Sequence, residues 1–161
     1  MKQFLARLAL FLCFLGIGPR TFGQSPDALV FFKDLKGTWS IQSGEKKLSA
    51  KVVYDLASRD SIVTEYFGKE LSVFHLDGEE LLMTHFCNRG SHPRLKLKQG
   101  GATGVVEFEM LDITNLKDPA SGSHVQRVRY QLLQPNQLNL EIIWRKGNTE
   151  ETEKYLLTKD P

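Results

Sequence analysis

Three residues in the middle of the chain could bind a metal ion. His85 and Cys87 are two positions apart, so on a β-strand they share a face, and His92 follows after a short turn. Imidazole nitrogen and thiolate sulfur are ligands that zinc and copper accept, and His124 could supply a fourth donor. The simpler interpretation is a buried Cys87 beside a hydrogen-bonded histidine, which needs no metal.

A second group of residues could orient a small ligand. From His124 onwards the even-numbered residues continue into the apolar positions Val128 and Tyr130, so His124 is expected to point inward near one end of the structure. A solvated histidine that merely ends a strand is the alternative. We expect His85, His124 and Asn115 to hydrogen bond a ligand. The aromatic residues expected to line the cavity or its base are Trp39, Tyr54, Phe108, Tyr130 and Trp144.

The sequence favours a binding protein over an enzyme. It contains no Gly-x-Ser-x-Gly elbow, no phosphate-binding loop and no dinucleotide fingerprint. Side chains two apart on a strand stand parallel, so the reactive atoms of His85 and Cys87 need not meet. We therefore expect no cofactor. A metal- or haem-binding protein, or a small-molecule enzyme, is the alternative, and it would be centred on His85, Cys87, His92 and His124.

These side chains need a scaffold of strands. One helix is predicted first, with Ser25-Pro26-Asp27 at its start, apolar residues at helical spacing and Lys36-Gly37 at its end. Turn-forming residues then separate ten predicted strands. The strands are predicted at 38–43, 46–57, 61–67, 70–76, 80–88, 93–99, 104–112, 124–133, 137–146 and 151–159.

Alternation of apolar and polar residues predicts a sheet with one buried face. Val106, Phe108 and Met110, for example, alternate with Glu107 and Glu109. Ten such strands in an open sheet would leave exposed edges, so we predict an all-β fold, a closed antiparallel up-and-down barrel of about 8–10 strands with a short N-terminal helix. A two-sheet sandwich is the alternative. A barrel of this size can enclose a small molecule, which we expect to be mainly apolar.

Residues 1–23 have the features of a secretory signal peptide. Lys2 and Arg7 precede an apolar run at 8–17, and Thr21-Phe22-Gly23 places small residues where a signal peptidase reads. We expect cleavage after Gly23, a single β-barrel domain at 24–161, and a periplasmic or secreted protein. Cys13 lies in the leader, so Cys87 alone remains and the exported chain has no intramolecular disulfide.

The balance of basic and acidic residues bears on which partners the protein binds. The 161 residues include 21 basic and 19 acidic side chains, for a net charge of +2. Three of the 21 basic residues belong to the leader, so 18 remain against 19 acidic ones and the rest of the chain is close to neutral. This balance argues against nucleic-acid binding, and the sequence after the leader has no apolar span long enough for a membrane helix. We expect a monomer or a weak homodimer.

Two sets of residues resemble known families. Leu35-Lys36-Gly37-Thr38-Trp39 resembles the Gly-x-Trp signature of the lipocalin/calycin superfamily, in which a late basic residue often packs over the tryptophan. The resemblance implies such a partner, and Arg145 is the candidate. Haem-binding nitrobindins are similar in architecture, but their Gly-x-Trp-x-Gly start is not reproduced, because Ser40-Ile41 follows Trp39.

The second set is similar to an uncharacterised family of exported bacterial lipocalin-like proteins. It comprises Phe74-His75-Leu76-Asp77-Gly78, Leu82-Met83-Thr84-His85-Phe86-Cys87, Pro93-Arg94, Asp112-Ile113-Thr114-Asn115-Leu116 and His124. The resemblance covers nearly all of the chain after the leader and implies a calycin-type barrel, without implying an activity. The polar residues that it marks as shared are His85, Cys87, Pro93, Arg94, Asn115 and His124.

Overall fold

The computed structural model describes residues 25–98, 104–118 and 122–161. The predicted signal peptide at 1–23, with Cys13, lies outside the described residues. Within the described ranges, no helix has both the length and the apolar character needed to cross a membrane.

Within the described residues, one helix precedes ten strands. The helix α1 spans Ser25–Asp34. The strands are β1 (Gly37–Ser43), β2 (Lys46–Ala57), β3 (Ile62–Phe67), β4 (Glu70–Asp77), β5 (Glu80–Phe86), β6 (His92–Leu97), β7 (Val105–Thr114), β8 (Ser123–Gln134), β9 (Gln137–Lys146) and β10 (Thr149–Lys159).

The strands form a closed antiparallel barrel. Each strand pairs with its neighbours in sequence, and β1 pairs with β10, where Trp39 lies opposite Lys159. The predicted fold class is therefore confirmed, and the sandwich alternative is wrong. Closure gives every strand a paired neighbour on both sides, which removes the exposed edges that ten open strands would leave.

The helix closes one end of the barrel and fills its middle. Phe32 of α1 is fully buried, with its ring stacked 4.0 Å from that of Phe74 and perpendicular to that of Tyr130 at 5.0 Å. Phe108 joins the same aromatic group at 5.8 Å from Phe32. We call the end that α1 covers the closed end, and the opposite end the mouth.

Trp39 anchors the helix at the closed end. Its Nε1 donates a hydrogen bond to the carbonyl oxygen of Leu35, 2.8 Å away. The Nζ of Lys159 lies 5.5 Å from the centre of the Trp39 rings, so Lys159 is the basic residue over the tryptophan. The prediction that Arg145 has this role is wrong, because its guanidinium is paired with Glu150 instead, at 2.7 Å.

Gly37 permits this close approach. Its φ of +130° is a backbone conformation that side-chain-bearing residues rarely adopt. A Cβ at this position would also meet the Cε of Lys159 at 3.1 Å. The glycine of the Gly-Thr-Trp sequence thus leaves room for the lysine stem beside Trp39.

Candidate functional site at the mouth of the barrel

The turns that frame the mouth bring three potential metal ligands together. Glu70 begins β4, His85 lies near the end of β5, and Cys87 follows β5 directly. One ligand atom from each of the three lies within 4.8 Å of the others. We call Glu70, His85 and Cys87 the mouth cluster. His85 and Cys87 share a face, as their spacing predicts, whereas Glu70 comes from the neighbouring strand.

Glu70 contacts both partners through different oxygens. Its Oε2 lies 3.5 Å from the Nε2 of His85. Its Oε1 accepts hydrogen bonds from the Sγ of Cys87 at 3.4 Å and from the backbone NH of Asn88 at 3.3 Å. The carboxylate is therefore held between the imidazole and the thiol.

His85 is oriented from the opposite side by Ser72. The two residues lie directly opposite each other in the β4–β5 ladder, and the Ser72 Oγ is 3.2 Å from the His85 Nδ1. The His85 side chain is 8% exposed, and its Nε2 has no hydrogen-bond partner among the described residues. Burial lowers the pKa of His85, which favours the neutral ring at neutral pH.

A buried carboxyl group lies deeper in the barrel. The Oε2 of Glu65 accepts hydrogen bonds from the hydroxyls of Tyr54 at 2.7 Å and Tyr130 at 3.0 Å. Ser72 also hydrogen bonds to Glu65, so a chain of polar contacts leads from the two tyrosines through Glu65 and Ser72 to His85. Burial raises the pKa of Glu65, and burial together with the nearby carboxylate raises the pKa of both tyrosines.

The barrel interior beside these polar contacts contains a small cavity. A cavity of about 20 Å³ lies among Glu65, Glu70, Ser72, His85 and Tyr130. That volume exceeds the roughly 10–15 Å³ needed by a water molecule but is far smaller than an apolar metabolite needs. The aromatic side chains around Phe32 occupy the middle of the barrel.

More space exists at the mouth itself. A groove of about 350 Å³ there combines the aromatic side chains of Phe67, Trp144 and Tyr155 with the charged groups of Glu70 and Arg89. The groove and the interior cavity both have Phe67 and Glu70 in their linings.

Contacts across the mouth hold the groove in shape. The Arg89 guanidinium lies 6.0 Å from the centre of the Trp144 rings, which brings the turn after β5 against β9. Glu153 Oε2 accepts hydrogen bonds from the Trp144 Nε1 at 3.0 Å and the Tyr155 hydroxyl at 2.9 Å. Trp144 is also 6.4 Å from His85, ring centre to ring centre.

The expected ligand-binding residues are divided between the two ends. His85 and Trp144 lie at the mouth, beside the groove or the cluster. Tyr54 and Tyr130 are buried and bonded to Glu65, and Phe108 packs with Phe32 and Phe74. Trp39 is buried at the closed end, where Lys159 covers it.

His124 does not point into the barrel as alternation predicts. The β8–β9 register shifts between Val125 and Arg127, and Val125 lines the interior cavity beside Val128. The bulge reverses the phase of the strand, so His124 faces the other way. It is nevertheless buried, and its Nδ1 lies 3.3 Å from the carbonyl oxygen of Gly122.

Asn115 and His92 also lie outside the mouth cluster. The Asn115 amide donates to the carbonyl oxygen of Gly90 at 2.5 Å, and its backbone has a left-handed φ of 57°. His92 packs on the ring of Phe86, whose side chain is exposed, at 5.1 Å. Among the described residues, Glu70 rather than His92 therefore supplies the third potential ligand atom beside His85 and Cys87.

The remaining residues of the shared polar set lie on β6. Pro93 is buried. Arg94 is exposed and forms an ion pair with Asp112 on β7. On the same outer face Lys98 pairs with Glu107 at 3.1 Å, as the alternating charges of these two strands predict.

The sequence analysis does not predict three polar residues of the site, Glu65, Glu70 and Ser72. Glu65 shares its face with Val63 and Phe67, and Glu70 and Ser72 share theirs with Phe74. A carboxylate or hydroxyl in phase with apolar residues on a strand is a sign of an interior polar group. Applied to β3 and β4, this criterion would have identified all three.

A closed ten-stranded antiparallel barrel is compatible with the lipocalin-like fold that the sequence resembles. No protein-family model matches the chain, and no curated protein is significantly similar to it.

Proposed function

We propose that this protein binds a small molecule in the groove at the mouth of the barrel. The observation that supports this is a groove of about 350 Å³ in which aromatic and ionisable side chains face one another. Ligand sites in proteins have volumes of about 300–1,000 Å³ and combine apolar walls with a few placed polar groups.

The groove chemistry indicates a ligand with an apolar body and a polar end. Trp144, Phe67 and Tyr155 provide the apolar surface. The polar end of the ligand would meet the carboxylate of Glu70, which lies between the groove and His85. Because aromatic side chains fill the middle of the barrel, we expect a mainly apolar ligand to bind in the groove rather than among Tyr54, Phe108 and Tyr130.

Binding of the fluorescent probe anilinonaphthalene sulfonate tests this proposal. Phe67→Ala removes one aromatic side chain of the groove. The matched control Tyr66→Ala removes an exposed ring from the preceding position of β3. Loss of an aromatic contact worth about 1.5–3 kcal/mol weakens binding about tenfold or more, so Phe67→Ala should raise the Kd and Tyr66→Ala should not. Equal affinities for both variants would contradict the proposal.

Native mass spectrometry gives a second test with no chosen probe. Protein purified from its own host is expected to carry an additional mass, which Trp144→Ala should reduce. A protein without additional mass that also fails to bind the probe would overturn the proposed function.

We also propose that the protein acts outside the cytoplasm, on the strength of the basic, apolar and small-residue segments at 1–23. Expression of the full chain in a bacterium, followed by periplasmic extraction, should yield a protein whose N-terminus is Gln24. An intact N-terminus in the cytoplasmic fraction would contradict export.

A further inference from the structure

We infer that Glu70, His85 and Cys87 bind a zinc ion at the floor of the mouth groove. This inference does not depend on the proposed small-molecule binding, because it rests on the three side chains and on Ser72 alone. Binding of a small molecule in the aromatic groove does not require this zinc ion.

The spacing of the three ligand atoms fits zinc. Zinc–nitrogen and zinc–oxygen bonds of about 2.0 Å and a zinc–sulfur bond of about 2.3 Å place tetrahedral ligands about 3.3–3.6 Å apart. The Nε2 of His85 is 3.5 Å from one oxygen of Glu70, and the Sγ of Cys87 is 3.4 Å from the other. All three groups lie within 4.8 Å of one another, so small rotations of the side chains suffice.

The free nitrogen of His85 is the second, independent observation. The His85 side chain is 8% exposed, and within the described part of the chain its Nε2 makes no hydrogen bond although it lies 3.5 Å from the Glu70 carboxylate. A buried polar atom without a partner costs about 1–3 kcal/mol, so such atoms are rare unless a ligand or water satisfies them. A cation between Nε2 and the carboxylate would satisfy both groups.

Ser72 orients His85 as metal sites require. In metal sites the second ring nitrogen is usually fixed by a hydrogen bond, which sets the tautomer and the ring plane. Ser72 Oγ lies 3.2 Å from Nδ1 and also hydrogen bonds to Glu65. When the hydroxyl proton is donated to the Glu65 carboxylate, Nδ1–H donates to the Ser72 oxygen, and the lone pair of Nε2 points toward Glu70.

The donor set suits zinc and balances its charge. One imidazole, one thiolate and one carboxylate form a mixed set of ligands that zinc commonly accepts. On binding, the Cys87 thiol releases its proton to solvent, and the thiolate and carboxylate together neutralise the two charges of the ion. Arg89 lies on the groove side of the cluster.

Three protein ligands leave a fourth position open. Structural zinc sites usually have four protein ligands, whereas sites with three keep one position for water or another small ligand. The cavity of about 20 Å³ beside Glu70 and His85 is large enough for one water molecule. The site is therefore of the open type.

Cobalt is the spectroscopic probe for this site. The experiment uses the full chain with Cys13→Ser, purified without a histidine tag, so that Cys87 is the one thiol. One equivalent of Co²⁺ should produce a thiolate-to-cobalt charge-transfer band and strong visible bands typical of tetrahedral coordination. Zinc should displace the cobalt with a stoichiometry of one ion per chain, and zinc should slow alkylation of Cys87.

Matched variants distinguish the cluster from surface binding. Cys87→Ser keeps the size of the side chain and should abolish the charge-transfer band, and Glu70→Gln should weaken zinc binding at least tenfold. The control is His92→Gln, since His92 lies against Phe86 and outside the cluster. This control should bind zinc like the parent, and circular dichroism of each variant confirms the fold.

Several results would overturn the inference. These are zinc well below one equivalent, an unchanged cobalt spectrum in Cys87→Ser, or alkylation of Cys87 at the same rate with and without zinc. In those cases a water molecule occupies the cluster. Binding of anilinonaphthalene sulfonate by the zinc-free protein is measured separately, so failure of the zinc site and failure of the proposed function give different results.

Discussion

Glu65 shows how burial and hydrogen bonding act in opposite directions on a single carboxyl group. Enclosure in the barrel raises its pKa, whereas the hydroxyls of Tyr54, Tyr130 and Ser72 stabilise the ionised form and lower it. Burial prevails, so the folded protein holds this proton more tightly than the unfolded chain does.

The raised pKa of Glu65 predicts a pH dependence of stability. Because the folded-state pKa exceeds the unfolded value, the stabilising contribution of this group is full below the unfolded pKa and is lost as pH rises through the folded pKa. Glu65→Gln keeps an oxygen acceptor for the tyrosines but does not titrate. We expect the wild-type free energy of unfolding to fall relative to that of Glu65→Gln as pH rises over this range.

Urea unfolding of both proteins between the acid range and pH 9 measures this difference. The comparison cancels the contributions of surface pairs such as Lys51–Asp160, which both proteins retain. Parallel stability curves would show that the Glu65 pKa is the same in the folded and unfolded states.

Ser72 is expected to act on zinc only through His85. Removal of a hydrogen-bond partner behind a metal-bound histidine typically weakens metal affinity about 10–100-fold. We expect Ser72→Ala to weaken zinc binding in this range while the thiolate-to-cobalt band of Cys87 persists. The control is Ser61→Ala, whose hydroxyl bonds to Ser58 in the β2–β3 turn. Equal loss of affinity in both variants would indicate a general effect on stability.

At the scale of single residues, the sequence predicts which side chains share a face wherever the strand is regular. The i, i+2 spacing of His85 and Cys87 predicted their common face, and the structure confirms it. His124 was misplaced because the bulge after Val125 adds a residue to one strand, and nothing in the local composition of β8 marks it. Glu70 was missed because its position depends on pairing between β4 and β5.

At the scale of elements, turn chemistry explains why the strands could be predicted. Gly44, Gly68, Gly78 and Gly147 adopt left-handed conformations at four of the hairpin turns, so glycine marks the strand ends in the sequence. The register was harder to predict. Only the structure shows that two residues separate Asp77 from its partner Glu80, and this register places Ser72 opposite His85.

The helix α1 supports the barrel through its buried apolar side chains, of which Phe32 is the most deeply buried. Phe32 stacks on Phe74 at 4.0 Å, and truncation of a buried phenylalanine typically costs about 3–5 kcal/mol. We expect Phe32→Ala to lower the free energy of unfolding by about this amount. Val30 on the same helix is 50% exposed, so Val30→Ala should change stability by less than about 0.5 kcal/mol.

Denaturant unfolding of the two variants provides the measurement. Phe32→Ala also tests whether the Phe32 ring fills the barrel interior, because the substitution creates a cavity between Phe74 and Tyr130. If this variant gained strong binding of a small apolar compound such as benzene, the added space would account for it. A loss of stability no larger than that of Val30→Ala would contradict the packing role of α1.

The whole molecule has two ends with different roles. At the closed end, Trp39 is held by Leu35 and covered by Lys159, and the aromatic group around Phe32 fills the adjoining interior. At the mouth, Trp144 lies beside His85 and Arg89 in an open groove. Packing thus stabilises one end, while the other end has the groove in which we propose that a ligand binds.

The two tryptophans of the chain report on these ends separately. Bound cobalt quenches nearby fluorophores, so one equivalent of Co²⁺ should quench the emission of Trp144 in the wild-type protein. In Trp144→Phe the remaining emission comes from Trp39 and should change little. Urea should unfold both ends together, because a barrel closed by β1 and β10 is expected to lose its pairing cooperatively. Strong quenching in Trp144→Phe, or different urea midpoints for fluorescence and circular dichroism, would show that the ends are not organised in this way.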